Sequence, residues 1–265
     1  MSTRIALAVL LACGMPSATH AQTAAAGPAT APETTAPAVP VVTTPGVTRE
    51  LAPFTAQYEV LRAGRRLGAA TLRLVRLGPT RWRVDLAMRG TGLVGLAGLN
   101  AEQATVFDAD ARGYRPVSQA TRRSALFTKR ASTGLYDWSR MSAQWSGDVK
   151  PSRRAPVALR DGDMSGLLIN LAIVRDAVPG ARLAYRFVDD GRVREHRYVV
   201  SPATETVVSG DLRFDAMRVE RSRDAAGGED TVVWVADGVP TPIRMLQRED
   251  GVDTFDLRLL EYKGA

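Results

Sequence analysis

From residue 50 onward, hydrophobic and polar positions alternate with a period of two. Phe54, Ala56, Tyr58 and Val60 interleave with Thr55, Gln57 and Glu59. Trp82, Val84, Leu86 and Met88 interleave with Arg81, Arg83, Asp85 and Arg89. Such alternation marks a strand with one buried and one wet face. Turn residues recur at short spacing. Asp189-Asp190-Gly191 separates Leu183–Val188 from Val193–Ser201, and Gly210-Asp211 separates Thr204–Ser209 from Leu212–Arg221. Asp250-Gly251 separates Ile243–Glu249 from Val252–Tyr262. Asp-Gly suits hairpins because both central residues tolerate positive φ. The pattern predicts about twelve to fourteen strands. A meander of that length curls, splits or closes, because open edges invite pairing with other chains. The expected fold is all-β and mainly antiparallel, a strongly curved sheet or barrel-like domain.

One segment breaks the period. Between Met164 and Val178, apolar residues fall at 164, 167, 168, 171, 174 and 178, with Ile169 and Ile173 broadening the stripe. This is helical spacing, wide enough to imply burial on more than one side. Asp161 or Asp163 can cap its start, and Pro179-Gly180 stops it. A single helix near residues 163–178 is expected to pack into the concave side of the sheet or to plug a barrel.

Ahead of the strands the chain has a different character. Arg4 is the only charge in the first thirty-two residues, and the apolar run Ile5–Met15 follows it. A small-residue segment then leads to Ala21. These are the parts of a secretory signal peptide over residues 1–21, cleaved after Ala21. The run is too short to span a bilayer, which takes about 20 apolar residues. Leu10-Leu11-Ala12-Cys13 also resembles a bacterial lipobox, in which the cysteine would carry a lipid anchor. Two destinations follow: soluble in the periplasm after cleavage, or lipid-anchored at Cys13 in the outer membrane. Residues 22–49, rich in Ala, Pro and Thr, lack the large side chains that offset ordering and read as a disordered linker. Residues 50–265 read as one β-rich domain.

Composition narrows the chemistry. In 265 residues there are 35 Lys and Arg against 28 Asp and Glu, a formal charge of +7, with 45 % hydrophobic residues. That excludes global disorder, a collagen-like chain and a polytopic membrane protein. The one cysteine permits no intramolecular disulfide, and two histidines leave little room for a His-based metal site. No cofactor is expected. Gly90 to Gly95 matches a dinucleotide-binding pattern, but the preceding strand alternates with arginines, whereas a Rossmann strand is buried on both faces. Asp161-Gly162-Asp163 opens like a calcium loop, yet the twelfth position is Ala172, where a bidentate glutamate belongs. His196, read as a surface strand residue, has Glu195 on the opposite face, and there is no Gly-x-Ser-x-Gly elbow for it to serve.

Two features remain as binding candidates. Leu93, Val94, Leu96 and Leu99 alternate with glycines and either fold inward as core or line the mouth of an apolar pocket. With Trp82, Leu86, Leu168 and Leu171 they form the expected ligand-binding set. Arg122, Arg123, Lys129, Arg130, Arg153 and Arg154 cluster with few acids between them. In an exported protein such a surface would meet anionic lipid or glycan rather than nucleic acid. Trp82 and Trp234 are expected in the core, and Trp138 and Trp145 flank a short hairpin.

Three stretches resemble the domain-of-unknown-function 3108 family of exported bacterial proteins. Phe54 to Val60 with Gly64 and Leu67-Gly68 resembles its opening hairpin, and Asp161 to Leu168 its mid-chain helix start. Trp234-Val-Ala-Asp-Gly-Val-Pro-Thr-Pro-Ile-Arg244 resembles its late strand pair. The resemblance, over about residues 51–262, implies an exported antiparallel β domain of curved or barrel-like shape. It implies no catalytic residues. The leading expectation is a non-enzymatic envelope protein that holds an apolar or amphipathic ligand. The alternatives are a scaffold contacting protein or anionic glycan through its arginines and, third, a hydrolase of envelope polymers.

Overall fold

A computed structural model describes residues 50–92, 100–125, 128–222 and 229–264. Its first eight strands are β1 (Phe54–Arg62), β2 (Arg65–Arg76), β3 (Arg81–Gly90), β4 (Asn100–Asp110), β5 (Gly113–Ala125), β6 (Thr128–Asp137), β7 (Ser142–Gly147) and β8 (Val157–Ala158). The helix α1 (Gly166–Asp176) follows. The chain then forms β9 (Arg182–Asp189), β10 (Arg192–Ser209), β11 (Leu212–Ser222), β12 (Glu229–Ala236), β13 (Arg244–Glu249) and β14 (Val252–Gly264). All fourteen lie in one sheet, ordered β8 to β1, then β14 down to β9, and every ladder is antiparallel. The first strand therefore pairs with the last, and the sheet's two edges, β8 and β9, fall in mid-chain on either side of the helix. The result is a nearly closed barrel.

Backbone and side-chain contacts reach across the β8/β9 gap. Met164 forms a parallel bridge with Phe187, with Val188 N–H donating to Met164 O at 2.9 Å. Tyr136 Oη donates to Val188 O at 2.6 Å, and Gln119 Nε2 donates to Asp189 Oδ1 at 2.7 Å. Arg153 ion-pairs with Asp190, and Arg186 with Asp163. Unpaired edge groups are an aggregation hazard. Here the gap is spanned by the chain's own polar groups.

The alternation does what the sequence predicts. Trp82, Val84, Leu86 and Met88 of β3 are buried, while Arg81, Arg83 and Arg89 are exposed. Eight of the eleven residues of α1 are buried, all around its circumference. That is the signature of a helix enclosed by its surroundings. The left-handed pairs Asp190-Gly191 and Asp250-Gly251 turn the expected hairpins, with φ of 50° and 68°, and 52° and 82°. Trp145 is buried against Tyr136, their rings edge-to-face at 5.5 Å, and Trp138 is half-buried with its indole N–H on Pro116 O. Among the described residues, no helix is long and apolar enough to cross a membrane.

Three local expectations are corrected. The helix begins at Gly166, because Met164 is committed to the bridge with Phe187. Neither Asp161 nor Asp163 caps it. The N-cap is Ser165, whose hydroxyl bonds to Thr105 of β4 at 2.9 Å, while Asp163 is held by Arg186 and by the Arg160 N–H. Third, Val193–Ser201 and Thr204–Ser209 form the single strand β10, not two. Its register against β11 breaks between Val200 and Thr204, around Pro202. There Ser201 Oγ accepts the Arg218 N–H at 3.0 Å, so the break leaves that donor satisfied.

The Leu67-Gly68 step has a packing reason. Gly68 pairs with Gly90, and a Cβ on Gly68 would overlap the Arg89 carbonyl oxygen and stand 3.0 Å from Gly90 Cα. Both obstacles are backbone, so a strand must move. Gly68→Ala is expected to destabilise the protein by about 2–3 kcal/mol in urea unfolding. A loss below about 0.5 kcal/mol, the range of ordinary surface substitutions, would contradict this packing.

Candidate functional site

An eleven-residue helix extends about 16 Å. The ten-residue β3 extends about 33 Å, or about 25 Å along the axis when strands tilt by about 40°. The helix therefore fills only part of the barrel's length. Where it ends, at Ala177, a cavity of about 630 Å³ opens.

Its walls come from strands that are far apart in sequence. Leu51, Phe54 and Leu74 supply one side, Met217, Val235 and Val239 another, and Leu171, Val174 and Val178 face them from the helix and its exit. All but Leu51 and Val178 are buried against the core. Tyr114 closes the wall at the start of β5, edge-to-face with Phe107 at 5.4 Å.

The lip is charged. Arg175 lies 4.5 Å over the Tyr114 ring and makes a bidentate pair with Asp176, at 2.5 and 2.8 Å. Tyr185 Oη donates to the same carboxylate at 3.0 Å. Burial pushes the Tyr114 and Tyr185 hydroxyls above the usual phenol range, and Asp176 adds to the shift at Tyr185, so both stay protonated donors. Glu50, Asp215 and Asp237 add exposed carboxylates, Asp215 accepting from Thr206 Oγ1 at 3.2 Å. Among the described residues lining the cavity, Arg175 is the one guanidinium and is already engaged by Asp176, so the excess charge of the lining is negative.

Of the expected ligand-binding set, Leu171 lines this cavity. Trp82, Leu86 and Leu168 are buried in the main core and do not line it. Leu93, Val94, Leu96 and Leu99 lie outside the described residues, and so does Cys13. Tyr114, Met217 and Val235 carry no separate signal, and Val174 stands out only as one position of the helix stripe. Each is an ordinary inward position of a strand or helix, and which of them meet at one end is decided by strand pairing across the whole chain.

The basic set is divided. Arg122, Lys129, Arg130 and Arg154 are exposed, Arg123 is half-buried opposite Arg130, and Arg153 is drawn into the β8/β9 gap by Asp190. His196 is not on the surface. It is 7 % exposed on the inner side of β10, its ring 4.7 Å from that of Phe187 and its Nδ1 3.3 Å from Tyr198 Oη. Burial, then Arg221 and Arg194, push its pKa down to about 3. An imidazole so depressed is a poor general base near neutrality. Among the described residues, no three His, Cys, Asp or Glu side chains converge as metal ligands.

The chain resembles the crystal structure of a β-barrel-like protein of domain of unknown function DUF1849 from Brucella abortus. The TM-score is 0.51 at 12 % identity, covering 81 % of this chain and 98 % of that one. At that identity the likeness concerns the fold alone. Among curated proteins none matches the chain in sequence. The model of DUF3108, described as a protein of unknown function, matches residues 54–258, and the chain belongs to that family.

Proposed function

We propose that the protein is a non-enzymatic binder of the bacterial cell envelope, exported by its first 21 residues, that holds an apolar or amphipathic ligand at the open end of the barrel. The cavity beyond the helix carries this reading. Its volume of about 630 Å³ falls within the roughly 300–1,000 Å³ typical of small-ligand sites, and its walls are apolar with polar groups confined to the lip. The lip also sets the ligand's class. With Arg175 held by Asp176, the carboxylates of Glu50, Asp215 and Asp237 favour a neutral or cationic polar end over an anionic one.

Binding of the neutral apolar dye phenylnaphthylamine tests the reading. The wild-type chain is expected to bind it. Dodecyltrimethylammonium is expected to displace it better than dodecyl sulfate at low salt, with the preference narrowing at high salt. Val174→Trp, which projects an indole into the cavity, is expected to weaken dye binding about tenfold or more. Thermal unfolding of the variant separates a filled cavity from a damaged fold. No dye binding by wild type, or equal binding by a folded Val174→Trp, would overturn the proposal.

A further inference from the structure

In an antiparallel meander, the ends of odd strands and the starts of even ones gather at one end of the barrel. The sheet order puts β1 to β6 side by side. Their shared end carries Arg62 of β1, Arg65 and Arg66 of β2, Arg89 of β3, Arg122 of β5, and Lys129 and Arg130 of β6. Every one of these is exposed, and none makes an ion pair among the described residues. Exposed arginines elsewhere are commonly neutralised in place: Arg81 by Asp108, Arg83 by Asp85, Arg197 by Glu195. Registry compounds the repulsion, since Arg62 stands opposite Arg65 and Arg123 opposite Arg130. Glu102, in register with Arg122, is outnumbered. Directly opposed like charges destabilise a ladder, so the fold carries this cluster at a cost.

We infer that the β1–β6 end of the barrel is a docking surface for an anionic lipid bilayer. The opposite end holds the cavity, with the carboxylates Glu50, Asp215 and Asp237 on its lip. Docked through these cations on a negatively charged plane, the barrel keeps its cavity mouth toward the aqueous phase. The cations project from three neighbouring pairs of strand ends rather than lining a groove, a geometry that fits a plane. This surface includes Arg62, Arg65, Arg66 and Arg89, which are distant in sequence from the Arg122–Arg130 cluster, and it leaves out Arg153. It is independent of what the cavity holds.

Co-sedimentation with vesicles of phosphatidylcholine, with and without phosphatidylglycerol, tests the docking. A Cys13→Ser background keeps any acyl anchor from contributing. Binding is expected only with phosphatidylglycerol, and Arg65→Gln with Arg66→Gln is expected to weaken it roughly thirtyfold, at about fivefold per residue. Arg81→Gln with Arg83→Gln removes the same charge at the other end and is expected to leave binding nearly unchanged. Equal losses in the two double variants would show that net charge, not this surface, drives association, and would overturn the inference. So would equal binding to both kinds of vesicle, or binding to a soluble sulfated polysaccharide but not to vesicles.

Discussion

Replacing Arg186 with methionine is expected to destabilise the protein by about 3–5 kcal/mol, among the largest effects of any single side chain. The charge it would abandon is Asp163, 1 % exposed and held through the same carboxylate oxygen by Arg186 and by the Arg160 N–H at 2.8 Å. The other oxygen, Oδ1, has no hydrogen-bond partner. Without the guanidinium, a nearly fully desolvated carboxylate has one neutral donor left. The site is also mechanical. Asp163 precedes Met164, the residue that bridges to Phe187 across the β8/β9 gap, and Ser165, the N-cap of α1. Losing the pair loosens both the gap and the mooring of the helix. Removing the two charges together, as Asp163→Asn with Arg186→Met, is expected to recover most of the loss, because the penalty lies in the unpaired charge. Urea unfolding of the three variants checks this. A single-variant loss under about 1 kcal/mol, the worth of an exposed pair, would place Asp163 in water and defeat the account.

The strands were legible because period-two patterns are local. β3 can be read from Arg81 to Met88 with no knowledge of its neighbours, and the helix stripe fixed α1 to within three residues at each end. The gap between β8 and β9 was not legible. It depends on Tyr136 reaching Val188 and Gln119 reaching Asp189, 52 and 70 residues apart, and no local pattern encodes such pairs. The cavity lies between these cases. Its existence follows from a helix shorter than the strands around it, both readable lengths, but its walls follow from which strand ends meet there. The arginine surface was half visible: Arg122 to Arg130 are close in sequence, whereas Arg65 and Arg89 join them only through the sheet order. At His196 the alternation and the polarity of the side chain point to opposite faces. His196 shares parity with Tyr198 and Val200, both buried, so the period of two places it on the inner face although its polarity suits the surface.

That buried histidine makes the barrel acid-sensitive. In the fold His196 stays neutral down to about pH 3, whereas in the unfolded chain its imidazole takes a proton near its ordinary 6.5. Between those values the unfolded state binds more protons, so stability falls as pH falls, by about 1.4 kcal/mol per unit at most. From pH 6.5 to pH 4 the loss is expected to reach about 3 kcal/mol. Protonation inside the fold is opposed by burial first and by Arg221 and Arg194 second, so the strain grows where Phe187 of β9 and Tyr198 of β10 pack around the ring. Asp189 works in the other direction. Burial raises its pKa despite the bond from Gln119, so the folded state takes up a proton first and gains stability as pH drops through that raised value. His196→Leu is therefore expected to flatten the acid limb of the stability curve, and Asp189→Asn to steepen it. Urea midpoints between pH 7 and pH 4 read both slopes. A His196→Leu protein that keeps the wild-type slope would show that the acid sensitivity arises from carboxylates instead.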